Sequence, residues 1–250
     1  PPRSTPKPSS AASDVYKRQI PYYGLMETNI GGADVVISQT GFTGEKGYEI
    51  YVRDSHENAE IVWNSVVEAG EEFGLMVIAP AHHRRIAAGI LSWGQDLDHE
   101  TSPFQVNLSY QVPRNKEADY IGKEELERQR EIIDAGNFPF KMRMVGLTLG
   151  GKEITDYAPD FWLIADTEGN DVGYITSPWW SPELNTNIAL GWVPWTASEV
   201  GTKLQVRLPD EYSESSGVPV EAEVVDVPFR ESVTPNKREV QKAKGLDYAD

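Results

Sequence analysis

The sequence predicts an α+β protein in which a region of antiparallel sheet and helices precedes a small carboxyl-terminal β-barrel. Three observations lead to this prediction. A glycine-rich hairpin pattern occupies residues 40–51, helix-like apolar periodicity follows it as far as residue 133, and short strand-like runs without helices follow residue 138. At 250 residues, the chain is long enough for one large domain or two ordinary ones.

The composition divides the chain into four expected segments. Residues 1–19 are rich in proline, serine, lysine and alanine and show no apolar periodicity, and residues 10–19 look like a translated adapter, so we exclude this leader from the fold. We expect the sheet-and-helix domain over residues 20–136, the barrel over 137–239 and a polar tail over 240–250.

The hairpin pattern is the most distinctive stretch. The segment TGFTGEKGYEIY at residues 40–51 contains three glycines, which can adopt positive φ values or let a flat ligand approach the backbone. Glu49 leaves this bend beside Phe42 and Tyr48. A carboxylate next to aromatic rings suits a planar heterocycle, which can stack on a ring while its N–H groups donate to the acid. An ordinary hairpin without a ligand is the alternative.

A helix is expected directly after the hairpin. Asp54 and Ser55 can cap it, with Glu57 in the spacing of a capping box. The apolar residues 75–79 then predict a short buried strand, and a second helix is expected over residues 80–91.

A polar loop separates the second helix from the next predicted elements. The loop, residues 95–103, carries Asp96 and Asp98, which could perform acid–base chemistry, although solvated turns are the usual role of such residues. Residues 104–112 alternate with a period of two and predict a strand. Residues 122–133 predict an amphipathic helix that ends the first domain.

Short strand-like runs at even spacing predict the barrel. The six expected strands are 142–149, 162–165, 171–176, 187–193, 203–208 and 220–225. Residues 167–170 have the composition of a hairpin turn. Trp179 and Trp180 are expected in a proline-flanked loop, where they either cover a ligand or fill the end of the barrel.

The composition also excludes several classes of protein. The chain has no cysteine, which excludes disulfides, thiolate metal sites and thiol nucleophiles. The adjacent His82 and His83 cannot lie on the same face of a helix as metal ligands, so we predict no metal site. The net charge of −16 argues against a nucleic-acid partner. No membrane-length apolar run and no secretory signal are present, so we expect a cytoplasmic protein without a membrane partner.

Several motifs resemble one family in the same order along the chain. They are TGFTGEKGYEI at the hairpin, RIAAG from Arg85, WGQDLD from Trp93, YIGKEEL from Tyr120, TSP from Thr176 and NIALG from Asn187. This series resembles the aminomethyltransferase family, which includes the glycine cleavage T-proteins and the tetrahydrofolate-dependent demethylases. The resemblance extends from about residue 22 to about residue 235.

The resemblance implies a partial folate-binding domain followed by the family's barrel, with tetrahydrofolate as cofactor. Glu49 matches the family acid that binds the pterin ring, and Phe42, with Tyr48 beside it, matches an aromatic of the same pocket. Arg230 matches an arginine that faces the folate, although a surface charge is an equal alternative. The hairpin lies much closer to the start of this chain than in the family, so we expect an amino-terminal truncation that removes the catalytic aspartate and leaves the chain inactive alone.

Two departures from the family pattern bear on the substrate. Ala81 stands where the glycine cleavage enzymes have an arginine, and Ala87 replaces a glutamate. These changes favour the demethylase branch, with a small-molecule methyl donor such as dimethylsulfoniopropionate. The aminomethyltransferase of the glycine cleavage system and a non-catalytic folate-binding module remain alternatives.

Overall fold

The computed structural model describes residues 20–79, 82–158 and 160–229. It contains two compact units, one within residues 1–80 and one within residues 81–250, which we describe separately. The domain boundary expected at residue 136 stays a prediction. None of the helices in the described ranges has the length and apolar character of a membrane span.

The first unit contains an antiparallel sheet of three strands and one long helix. The strands are β1 (Leu25–Ile30), β2 (Ala33–Ser38) and β3 (Glu49–Val52), in the spatial order β1-β2-β3, and helix α1 spans Ser55–Gly70. The predicted hairpin is confirmed, with Ser38 of β2 opposite Glu49 of β3. The sequence did not reveal β1, which pairs with β2 through a turn at Gly31 and Gly32, both with positive φ.

One face of this sheet packs against α1, and we call the opposite face, on which Tyr51 is 56% exposed, the open face. Ala33 and Val35 of β2 are buried with Val62 of α1. Because successive side chains of a strand point to opposite faces, Ile50 lies on the packed face and Glu49 and Tyr51 lie on the open face.

Helix α1 confirms the predicted helix but not its predicted capping box. Asp54 adopts a left-handed conformation with φ of 47°, and its side chain makes no capping hydrogen bond. Its backbone carbonyl instead accepts from the N–H of Glu57 at 2.9 Å. The first turn of α1 is therefore closed by backbone contacts.

The prediction of a buried strand over residues 75–79 is wrong. These residues form no strand, and the exposed fractions of Leu75, Met76, Val77 and Ile78 are 44%, 80%, 61% and 66%. Within the described ranges, no neighbouring strand supplies the ladder hydrogen bonds that an apolar run needs to become part of a sheet.

We expect the exposed apolar segment to tolerate polar substitution. Val77→Ser should change the free energy of unfolding by less than about 0.5 kcal/mol, because the Val77 side chain is mostly solvated. Val35→Ala, in the core against α1, should cost roughly 1–3 kcal/mol and serves as the control. Urea unfolding measures both values. A decrease in the free energy of unfolding of more than about 1 kcal/mol in Val77→Ser would exceed the usual effect of a surface substitution and would show that Val77 is covered.

The second unit is organised around a closed antiparallel barrel, as predicted. The strands run in the closed order β4-β7-β6-β5-β8-β9. Their bounds are β4 Met142–Leu149, β5 Trp162–Ala165, β6 Asp171–Ser181, β7 Thr186–Pro194, β8 Lys203–Val206 and β9 Val220–Val225. Trp179 and Trp180 lie within β6 and pair with β7, so their placement in a loop was wrong.

Two helices accompany the barrel. Helix α2 spans His82–Ala87, shorter than the predicted 80–91, because the chain turns at Gly89 with φ of +68°. Ile86 and Ala87 are buried in an apolar cluster with Ile188, Leu190 and Trp192 of β7, which attaches α2 to the barrel. Helix α3 spans Lys123–Asp134 and confirms the predicted amphipathic helix.

The strand predicted over residues 104–112 is wrong. Asn107 has φ of +60°, and Ser109–Gln111 forms a turn of 3₁₀ helix. The alternating pattern reflects the burial of alternate residues such as Phe104 and Val106, without a strand ladder.

Side chains attach this segment to the barrel instead. The side-chain amide of Gln105 donates to the carbonyl of Met142 at 3.2 Å, and that of Asn107 donates to the carbonyl of Met144 at 3.3 Å. The N–H of Met144 in turn donates to the carbonyl of Gln105 at 2.9 Å. These bonds satisfy the part of the β4 edge that lies beyond its pairing with β9, which covers Gly146 to Leu149.

Candidate functional site

Glu49 is held on the open face of the first unit's sheet. The hydroxyl of Thr40 donates to Oε2 of Glu49, and the hydroxyl of Tyr51 donates to the same oxygen at 3.0 Å. Since the proton of Thr40 is used in this way, Thr40 accepts from the Ser38 hydroxyl, 2.6 Å away. A chain of two hydrogen bonds, from Ser38 to Thr40 and from Thr40 to Glu49, therefore fixes the carboxylate at the start of β3.

The carboxylate has acceptor capacity for a ligand. Both hydroxyl groups reach Oε2, and among the described residues none donates to Oε1 of Glu49. An ionised carboxylate offers about four lone-pair sites, so N–H groups of a planar heterocycle can still bind at Oε1. Hydrogen bonds from N–H groups to a charged acceptor of this kind are about twice as strong as those between neutral groups.

Partly exposed aromatic residues flank, in sequence, the bend that leads to Glu49. Phe42 and Tyr48 each have an exposed fraction of 49%, and Tyr51 has one of 56%. Tyr51 was not among the predicted site residues, although its position two residues after Glu49 on a strand was a signal that both share a face. Arg230, the remaining predicted site residue, lies outside the described residues.

A second polar cluster lies in the second unit, centred on an ion pair between α2 and the following loop. Arg85 Nη1 and Asp96 Oδ2 are 2.8 Å apart, and their side chains are 2% and 0% exposed. Arg85 also donates to the carbonyl of Ile90 at 3.0 Å and to the Ser177 hydroxyl at 2.8 Å. The guanidinium thus joins α2 to strand β6.

The Asp96 carboxylate has four donors. Besides Arg85, these are the N–H of Ser92 at 2.7 Å, the hydroxyl of Thr176 at 2.6 Å and the hydroxyl of Ser177 at 2.5 Å. The expectation that Asp96 sits in a solvated turn is therefore wrong. A carboxylate so fully bonded connects segments of the fold, and it has no oxygen left to exchange a proton with a substrate.

Asp98 behaves as the sequence predicted. It is exposed and accepts from the N–H of Glu100 at 2.9 Å and from the Thr101 hydroxyl at 3.1 Å. These two hydrogen bonds lower the pKa of Asp98. The same loop therefore holds one structural carboxylate and one ordinary turn residue.

In the described part of the chain, no group of three or more histidine, aspartate or glutamate side chains could hold a metal ion.

Comparison with known families identifies the class of protein that this sheet and barrel define. Residues 6–116 match the GCVT N-terminal domain, and residues 143–230 match the glycine cleavage T-protein C-terminal barrel domain. The chain therefore belongs to the glycine cleavage T-protein family, and its closed barrel is the family's carboxyl-terminal domain.

Two relatives that match most of this chain are both named aminomethyltransferase. The chain is 35% identical over 218 residues to an aminomethyltransferase from Thermotoga neapolitana, covering 86% of this chain and 54% of that protein. It is 31% identical over 205 residues to an aminomethyltransferase from a Geobacillus species, covering 81% of this chain and 51% of that protein. The chain thus spans about half the length of these curated relatives.

A solved structure supports the fold. The crystal structure of glycine cleavage system aminomethyltransferase T from Bartonella henselae superimposes with a TM-score of 0.61, covering 91% of this chain and 58% of that one. The sequence identity is 22%, so this similarity concerns the fold alone.

Proposed function

We propose that this protein is a tetrahydrofolate-dependent one-carbon transferase of the aminomethyltransferase type. The observation that carries the proposal is the Glu49 carboxylate, fixed through Oε2 and able to accept N–H donors at Oε1 on an open sheet face. The pterin ring of tetrahydrofolate is a planar heterocycle with N–H donors, which is the chemistry that such a carboxylate recognises. Membership of the T-protein family supports the same cofactor.

The relatives favour an aminomethyl donor over a methyl donor. The departures at Ala81 and Ala87 favour a sulfonium demethylase, but the Thermotoga and Geobacillus relatives described above are named aminomethyltransferase. Among the two readings, the aminomethyltransferase alternative is therefore the better supported. The small-molecule methyl donor expected from the sequence belongs to the demethylase reading and is not part of this proposal. We retain a cytoplasmic location, and the net charge of −16 supports the absence of a nucleic-acid partner.

Under this proposal, the residues of this chain bind and orient the cofactor. Glu49 accepts from the pterin, Tyr51 and Thr40 keep its carboxylate in place, and Phe42 and Tyr48 supply aromatic surface for stacking. Bound tetrahydrofolate supplies the nucleophilic nitrogen that accepts the one-carbon unit. Holding that nitrogen in a fixed orientation supplies part of the rate enhancement, since well-oriented reactants avoid an entropic cost of several kcal/mol.

The product of the reaction tests the proposal. Because this chain spans about half the length of its relatives, the test uses a full-length family protein that carries this chain. It is incubated with tetrahydrofolate and either an aminomethylated lipoyl carrier or dimethylsulfoniopropionate, and the folate products are separated by mass. We expect 5,10-methylene-tetrahydrofolate with the aminomethylated carrier and no folate product with dimethylsulfoniopropionate. Formation of 5-methyl-tetrahydrofolate from the sulfonium would support the demethylase instead. Binding of tetrahydrofolate without either product would identify a folate-binding module without transferase activity.

A further inference from the structure

His82 begins α2 beside the buried ion pair of the second unit. Its Nδ1 accepts a hydrogen bond from Nε of Arg85 at 3.3 Å. Arginine remains protonated at any physiological pH, so Arg85 must be the donor and Nδ1 must carry no proton. The contact therefore requires the neutral imidazole, with its proton on Nε2.

The imidazole of His82 also lies at the centre of an aromatic group. The ring centroids of His82 and Tyr157 are 4.5 Å apart in an edge-on arrangement, and those of His82 and Trp179 are 5.4 Å apart. The Tyr157 hydroxyl donates at 3.1 Å to Oε1 of Gln95, which also accepts from Arg85 at 3.3 Å. His82 thus links α2 to strand β6 and to the loop that precedes β5.

We propose that His82 is a proton-sensitive latch, which holds Tyr157 and Trp179 beside α2 when neutral and releases them when it binds a proton. Protonation places an N–H on Nδ1, which then faces the N–H of Arg85 Nε. Two donors and two positive charges meet without an acceptor between them, so the imidazolium must rotate or move away. The edge-on contact with Tyr157 and the contact with Trp179 are lost in that movement.

The charges around His82 favour the neutral state. Among the described residues, the charged or titratable groups that face it are Arg85 from α2, Asp96 from the following loop and Tyr157 from the loop before β5, while β6 contributes the uncharged Trp179. Burial and the Arg85 cation lower the pKa of His82, and Asp96 opposes them. Asp96 does not prevail, because its carboxylate is already shared among Arg85 and three other donors.

The direction of this pKa shift sets the pH range of the latch. The folded pKa lies below that of the unfolded chain, so the unfolded state binds the proton more readily. The stabilising contacts of neutral His82 are therefore complete above the ordinary histidine pKa of about 6.5. The stability that they contribute declines as the pH falls from that value towards the lower pKa of the folded state, and the contacts themselves are released as the pH passes the folded pKa.

Nuclear magnetic resonance of the unaltered protein provides the first test. The His82 Cε1–H resonance, assigned by its disappearance in His82→Asn, should titrate at a lower pH in the folded protein than in urea. The fluorescence of Trp179, obtained as the difference between the unaltered protein and Trp179→Phe, should change over the same pH range as the His82 resonance. Titration of His82 at the same pH in both states would overturn the proposal.

Substitution provides the second test. His82→Asn places an amide that can accept from Arg85 but does not titrate, so the Trp179 signal should become independent of pH between about 5 and 7. His56→Asn, which changes an exposed histidine of α1, is the matched control and should leave the pH-dependent change intact. An acid-dependent Trp179 change that persists in His82→Asn would show that another group drives it.

Discussion

Asp96→Asn should lower the free energy of unfolding of the second unit by about 3–5 kcal/mol, the usual cost of removing one partner of a buried ion pair. The asparagine keeps the shape of the side chain but removes the charge that Arg85 faces at 2.8 Å, and Arg85 is 2% exposed. The guanidinium would remain buried without a counter-ion. The hydroxyls of Thr176 and Ser177 would also exchange a charged acceptor for a neutral one.

The chain contains a matched control for this substitution. Arg114 and Asp134 form an ion pair at the same distance of 2.8 Å, but their side chains are 40% and 46% exposed. Asp134→Asn should cost no more than about 1 kcal/mol, because solvent screens this pair. Urea unfolding followed by tryptophan fluorescence gives both values. Equal losses from the two variants would show that burial does not strengthen the Arg85–Asp96 contact.

Glu49→Gln should weaken the binding of tetrahydrofolate by about tenfold or more, because a hydrogen bond to a charged group contributes roughly 1.5–3 kcal/mol. Glutamine retains an oxygen that can accept from Thr40 and Tyr51, so the hairpin should stay folded. With its oxygen held by these two hydroxyls, the amide presents an NH2 donor at the position of Oε1, so the negative charge and the acceptor for the pterin N–H groups are both lost. Titration calorimetry with tetrahydrofolate under anaerobic conditions, on a full-length family protein that carries this chain, measures the dissociation constant.

Glu27→Gln is the control for this change. Glu27 lies on the same open face as Tyr51, since both pair with Val36, and it forms an exposed ion pair with Arg53. The substitution removes the same charge from the same sheet, two strands away from β3. We expect the affinity to change by less than about twofold, because exposed charges at that separation are screened. Equal weakening by the two variants would indicate a general electrostatic effect and would remove Glu49 from the site.

The sequence predicted part of the candidate site because the relevant signals are local. Glu49, Phe42 and Tyr48 lie within one glycine-rich hairpin, and the pairing of Ser38 with Glu49 confirms that hairpin. Tyr51 was missed even though strand alternation places it beside Glu49. Asp96 could not have been assigned its role from the sequence, because its hydroxyl partners Thr176 and Ser177 are 80 and 81 residues away.

The sequence by itself determined the barrel, the hairpin and the helices α1 and α3, because periodicity, turn residues and glycines act over a few neighbouring residues. Tertiary structure decided where apolar segments go. Residues 104–112 and 75–79 both have strand-like sequences, yet the first attaches to β4 through the side chains of Gln105 and Asn107, and the second is exposed. A strand requires a partner for its backbone hydrogen bonds, and no local pattern reveals whether the fold provides one.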